Sequence, residues 1–493
     1  MYLRKISTFV LLTIGIATLS AKNKPNDFDY LKMEKGLEST AQKLVESLAQ
    51  SHNNLPLLNV VKDFSADNSG LNITTIQIQN AVDSCSKLGA ARVYFPKGVY
   101  LIGTIILKSG VHIELDEDAK ILGSTVAQDY QVIKPAYKNN TDSQVDKSLF
   151  YAENVNDISF TGKGIIDFQG DDPVYFNTGN NDPRRPFGIR IVSSKNIYIS
   201  GLMLWNSAQW LQHYLDCENL LIENLNVFNH AHQNNDGLDI DGCRNVYVRN
   251  CRVDSDDDAI CLKSNGPSAC ENVLIENCTA ASHCNALKLG TESTGGFKNI
   301  IYRNCKVVQS VTGHHFVNGA ETTRSAITLI ITDGGKMENV WLNNIEANGC
   351  ITPIFVTLGN RSRKYTEGVP VPETGTIKNI KISNFSATAA GPQSSSITGL
   401  NNDFRISNIT LENIHIEIAA PGNSGDRDID MEKLLREKKP QYPSPHTFGN
   451  LSSYGFYFRY LDGLKTSHIT FDLKCDDPRE AIIIEDCNGV EQN

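Results

Sequence analysis

Short runs of alternating apolar and polar residues recur through the middle of the chain, each opened by an asparagine. They begin at Asn196, Asn219, Asn245, Asn272, Asn299, Asn339, Asn379 and Asn408, at intervals of 23, 26, 27, 27, 40, 40 and 29 residues. Alternation with a period of two marks a short strand with one buried face. A single such strand cannot bury its inward side chains, but eight or more stacked in register share one continuous core. The pattern therefore predicts an all-β solenoid, a parallel β-helix with close to one coil per interval. The recurring Asn turns the chain and hydrogen-bonds to its equivalent in the next coil. The leucine spacing of a leucine-rich-repeat horseshoe is absent. The two 40-residue intervals contain loop insertions, which solenoids cluster on the binding face.

Ahead of the coils, Thr74 and Gln77 are spaced to cap a helix with Ile78, Ala81, Val82 and Cys85 on one side, ending near Gly89. That helix is expected to plug the open end of the stack. Strands are expected over 92–100 and 111–115, and a polar amphipathic helix over 28–51. Residues 420–447, charged and proline-containing, read as a loop insertion, with the last strands near Tyr454–Arg459 and His468–Phe471.

The N-terminus carries Arg4 and Lys5, then an apolar run from Phe9 to Leu19, then Ser20 and Ala21. This is the pattern of a secretory signal peptide, too short for a membrane span. The expected organisation is a signal peptide over 1–21, a helical extension over 22–57 and a catalytic β-helix over 58–493, secreted or periplasmic. A formal charge of −10 argues against nucleic acid, an anionic membrane surface or a densely anionic polymer held by bulk charge. An acidic substrate needs local basic residues. Of the twelve cysteines, Cys251, Cys278 and Cys305 lie 27 apart, as small buried residues in successive coils do, and are expected to be free. No Cys/His spacing resembles a zinc site, and neither metal nor cofactor is expected.

Candidate chemistry concentrates in one stretch. Asp236 lies in the run Gln233–Gly237, and Asp257 and Asp258 follow 21 residues later, close to one coil. The first aspartate then stacks near the pair, provided Ser255–Asp258 forms a bend, because neighbours within a strand face opposite ways. Crowded carboxylates repel one another, and general acid/base chemistry is the usual reason to keep them together.

Together with the segments Asn59–Ser65, Phe95–Tyr100, Arg185–Pro186 and Asn206–Trp210, this carboxylate set resembles the polygalacturonase-type glycoside hydrolases of family 28, from about residue 58 to the C-terminus. The resemblance implies a right-handed parallel β-helix that cleaves pectic polysaccharides with inversion. It assigns Asp257 as general acid and Asp236 and Asp258 as the groups that activate water, with Asn234 among the substrate contacts. Two positions depart from the family pattern. Its Gly-His-Gly stretch corresponds to His283-Cys284-Asn285, with Cys284 at the histidine position and His283 as a substitute if the coil is one residue longer. Its Arg-x-Lys pair, which holds the galacturonate carboxylate, falls near Leu329–Ile331, where no basic residue occurs. Candidates to replace it are Lys288, Arg324, Arg361 and Arg363.

The expected substrate is a galacturonate-containing poly- or oligosaccharide bound by a monomer. Insertions at 307–330 and 350–378 are expected to close one end of the groove and favour exo action. Two other readings remain at this point. One is a β-helical lyase, in which Lys263 or Lys288 would serve the cluster and calcium would neutralise the uronate. The other is a glycan-binding β-helix that keeps the aspartates as turns.

Overall fold

The computed structural model describes residues 28–141, 145–179, 182–310, 322–423, 425–426 and 442–493. The signal-peptide stretch and most of the 420–447 insertion lie outside these residues. Among them the strands form two parallel sheets, one of 22 strands and one of 12.

Each coil contributes to both sheets, and the stacking is regular where the sequence repeat is regular. Val246 pairs with Val273, Val253 with Ala280 and Ile260 with Leu287, so all three strands of the coil advance by the same interval. Their inward residues join one continuous apolar column, from Val60 to Leu464. Cys251, Cys278 and Cys305 are buried in it, and all twelve cysteines are free.

The asparagine ladder forms as expected. Asn245, Asn272 and Asn299 adopt φ of 56°, 58° and 56°, a left-handed conformation that Asn tolerates better than other residues with a Cβ. Each donates its side-chain amide to the Asn one coil earlier, at 3.2, 3.3 and 3.0 Å. The ladder continues through Asn339 and Asn379 to Asn408. Every rung thus turns at the same place and satisfies its neighbour's polar group.

Helix α1, Tyr30–Leu48, lies flat against the 22-stranded sheet rather than at an end of the stack. Its Met33, Leu37, Ala41, Leu44 and Leu48 cover outward-facing Tyr198, Leu221, Tyr247, Leu274, Ile301 and Trp341. These come from six successive coils, so the helix is a strut along the solenoid, and Arg303 pins it through Glu34 and Glu38 at 2.8 and 2.7 Å. Helix α2, Thr75–Lys87, is the end cap, burying Ile78, Ala81, Val82 and Cys85. The Thr74 hydroxyl does not cap it through the backbone; it accepts from the Asp67 N–H at 3.1 Å instead. At the other end, strands Glu480–Glu485 and Asn488–Gln492 extend the coils beyond those expected. Among the described residues no helix is long and apolar enough to cross a membrane.

Candidate active site

The 12-stranded sheet floors the site. In its strand Leu238–Asp241, Leu238 and Ile240 enter the core, and alternation turns Asp239 and Asp241 outward. In the next strand, Ile260–Ser264, Cys261 and Lys263 face out, and in Asn285–Ser293 so does Lys288. Register pairs Leu238 with Ile260 and Ile260 with Leu287. The three preceding positions Asp236, Asp258 and Asn285 therefore stack one above another. The repeat here is one residue longer than the Asp236–Asp257 spacing, and Asp257 sits one place to the side.

Asp257 and Asp258 occupy a bend between the strands Arg252–Ser255 and Ile260–Ser264. The Ser255 and Ser282 hydroxyls hold the Asp257 carbonyl at 2.8 and 2.5 Å. Asp258 is fully engaged: Asn285 Nδ2 donates to Oδ1 at 2.7 Å, and Lys288 Nζ to Oδ2 at 2.6 Å. Lys263 Nζ lies 2.9 Å from Asp236, 3.4 Å from Asp239, 3.7 Å from Glu292 and 3.8 Å from Asp258. The Trp210 ring lies beneath it at 4.5 Å.

This arrangement separates the proton affinities of adjacent residues. Burial, then the Asp236 and Asp258 charges, hold the Asp257 carboxyl well above its usual range. Burial also opposes ionisation of Asp258, but Lys288, Lys263 and the hydrogen bonds outweigh it and keep Asp258 below its usual range. Asp236 is pushed up to about 6, chiefly by burial, with Lys263 opposing and Asp258 adding to the rise. Burial pulls both lysines down, yet the surrounding carboxylates keep Lys263 and Lys288 well above the ordinary lysine value.

A cavity of about 400 Å³ opens over the bend, lined by Asn234, Asp257, Cys284, Asn285, Lys288 and Arg324 on one side. Tyr442 and Ser444–Thr447 form its other wall. The short helix Pro445–Phe448 holds this wall by packing Phe448 edge-on to Phe355, at 5.0 Å between ring centres, within a cluster that includes Ile330 and Tyr457. This wall comes from the end of the 420–447 insertion; Arg324 and Ile330 of the 307–330 stretch also line the cavity, and among the described residues none of 350–378 does. Residues 311–321 lie outside the described residues.

Other candidates fall elsewhere. His283 is buried, donates or accepts at Asp256 over 2.6 Å, and is absent from the cavity lining. The bend turns Cys284 to the cavity in its place, and His283 lies off the lining. Asn285, not His283 or Cys284, touches Asp258. Arg361 forks onto Asp333 at 3.0 and 2.5 Å, and Arg363 reaches Glu292 at 2.9 Å. These pairs commit Arg361 to its own acidic neighbours, outside the lining. In the strand Ser325–Ile331 the outward positions are Thr328, bonded to Asn285 Oδ1 at 2.9 Å, and Ile330. Asp239, Asn285 and Tyr442 were not among the expected site residues. The Leu-Asp-Ile-Asp alternation gave a signal for Asp239; nothing local pointed to Tyr442. Asp257, Asp258 and Cys284 bring possible ligand atoms within 4.8 Å, but Lys288 already supplies the compensating positive charge at Asp258.

The profile of glycosyl hydrolases family 28 matches residues 85–429. The chain belongs to this family. The match begins later and ends earlier than the span from residue 58 to the C-terminus expected from the motifs. The family 28 chain is 33% identical over 214 residues to a probable polygalacturonase of Vitis vinifera, covering 41% of this chain and 43% of the relative. It is 26% identical over 251 residues to an exo-poly-alpha-D-galacturonosidase of Dickeya chrysanthemi, covering 41% of each. The matched stretches thus span less than half of these relatives. Its fold resembles that of the Thermotoga maritima exopolygalacturonase, with a TM-score of 0.65 at 18% identity, over 88% of this chain and 96% of that one. The fold is a right-handed parallel β-helix.

Proposed function

We propose that this family 28 enzyme removes galacturonate units from the ends of galacturonan-type chains by an inverting reaction. The observation that carries the reading is the divergence of two neighbouring carboxyls: Asp257, which lines the cavity, has its proton affinity raised, while Asp258, buried against the lining residues Asn285 and Lys288, is held ionised. Environments that push paired carboxyls apart assign the acid and the base. Asp257 gives its proton to the glycosidic oxygen as the bond to the anomeric carbon breaks. A water held by Asp258 and Asp236 attacks from the opposite side and passes them its proton.

The Asp257 and Asp258 oxygens come within 4.8 Å, short of the roughly 6.5–9.5 Å common for inverting pairs. That spacing favours a second reading, a retaining path with Asp258 as nucleophile. Against it, both Asp258 oxygens already accept strong hydrogen bonds, from Asn285 and Lys288, which blunts attack on carbon. Asp236, one rung away, supplies a further carboxylate for the water.

The sugar carboxylate needs a basic group on the cavity wall, and a guanidinium's planar fork matches it best. Arg324 lines the cavity, only 7% exposed, and is the cation suited to a uronate, with His446 and Ser444 across from it. The 442–447 wall supports action on a chain end. The lyase reading is disfavoured because Lys263 and Lys288 are held protonated and so are poor bases. Proton NMR of a trigalacturonate digest tests the reaction. An α-linked substrate should release the β-anomer first, with monomer from the earliest time points; α-anomer first supports retention, and unsaturated product supports a lyase.

A further inference from the structure

One rung-spanning cluster outside the cavity lining is not used by this chemistry. We propose that His230, Asp256 and His283 form a binding site for a zinc-like transition-metal cation. The three residues come from three consecutive coils and are buried, at 3%, 0% and 0% exposure. Their possible ligand atoms all lie within 4.8 Å of one another.

The hydrogen bonds around His230 prepare one nitrogen for a cation. Its Nε2 lies 2.8 Å from Asp254 Oδ1, which also accepts from the Ser310 hydroxyl at 2.7 Å. With the Nε2 proton donated to Asp254, Nδ1 carries the lone pair. That nitrogen meets no hydrogen-bond partner among the described residues and lies 4.0 Å from Asp256 Oδ1. The second Asp256 oxygen, Oδ2, also meets none. A lone pair and a carboxylate facing each other away from water repel, and a buried polar atom without a partner is costly. A cation between them removes both penalties. The Asp254–His230 contact is then the carboxylate–imidazole support that metal-binding histidines usually have.

His283 completes the set, its Nδ1 2.6 Å from Asp256 Oδ1. The metal takes the place of the proton shared there, and the His283 ring passes to its Nε2–H tautomer. Bonds of about 2.0–2.2 Å require the ligand atoms to draw together slightly, within reach of small ring rotations. Two imidazoles and one carboxylate suit zinc better than calcium or magnesium, which prefer all-oxygen shells. Bound there, the ion would staple three coils and fix the residue immediately before Asp257.

The test uses the full chain produced in zinc-supplemented medium, dialysed against metal-free buffer and analysed for metal, with cobalt growth as a parallel preparation. Wild type and Cys284→Ser should each retain about one zinc per chain, while His230→Gln should lose at least tenfold of that content. The cobalt protein should show visible ligand-field bands without a near-ultraviolet thiolate band. Zinc-free wild type, undiminished zinc in His230→Gln, or a thiolate band pointing to Cys284 would each overturn the proposal. Should His230→Gln not fold, the wild-type metal content and cobalt spectrum decide the question by themselves.

Discussion

Lys288 Nζ rests 2.6 Å from Asp258 Oδ2 in the site's interior, and this contact holds the carboxylate ionised. Because Lys288 lowers the proton affinity of Asp258, that side chain stays charged until the pH falls through its depressed native value. Lys288→Met should raise that value and move the acidic limb of the kcat/KM profile to higher pH. It should also lower stability by about 3–5 kcal/mol, since it strands a buried charge. The pH–rate profile and urea unfolding measure the two effects, and an unmoved acidic limb would remove Lys288 from this role.

Asp257 is a stability liability with the opposite sign. Its native proton affinity is raised by burial and by Asp236 and Asp258, so the unfolded chain releases this proton first. Stability then falls as the pH rises above the usual aspartate value of about 3.9. Asp257→Asn removes that penalty and should raise Tm at pH 7 relative to wild type, by a few degrees, with little difference at pH 3. A lower Tm at pH 7 would contradict this electrostatic reading.

Arg324 should matter for binding more than for chemistry. Arg324→Gln is expected to raise KM for a trigalacturonate about 10–100-fold, the worth of a charge-assisted hydrogen bond, with kcat much less affected. The wild-type preference for a free over a methyl-esterified terminal uronate should shrink with it. Steady-state kinetics on the two substrates provide the check; an unchanged preference would assign the carboxylate to another group.

The asparagine ladder separates backbone strain from hydrogen bonding. Asn272→Gly keeps the left-handed turn and loses the ladder bonds to Asn245 and from Asn299. Asn272→Ala loses both and should be less stable than the Gly variant by about 1–2 kcal/mol. Equal denaturation midpoints would show that the turn carries no strain.

The coils were legible because each repeats a local pattern: an Asn, an alternating strand, a small buried residue. The carboxylate cluster was legible for the same reason, since stacking converts near-equal spacing into proximity. What failed was parity at bends and contact at a distance. Whether His283 or Cys284 faces the cavity depends on one residue of chain geometry at the end of the strand Thr279–Ser282. Arg361 and Arg363 looked available because their partners Asp333 and Glu292 are 28 and 71 residues away. The wall at Tyr442–Thr447 depends on Phe448 finding Phe355, a non-local packing event. Helix α1 showed its amphipathic pattern in the sequence, but the outward apolar row it covers is spread over six coils.

The most direct test of the account is the turnover of Asp257→Asn on two substrates that differ only in leaving group. On a galacturonate–galacturonate bond, whose leaving oxygen needs a proton, activity should fall by about 10²–10⁴-fold. On an aryl galacturonide whose phenolate departs unprotonated, most of the wild-type rate should remain. Equal losses on both substrates, or none on the first, would contradict the assignment of Asp257 as the acid.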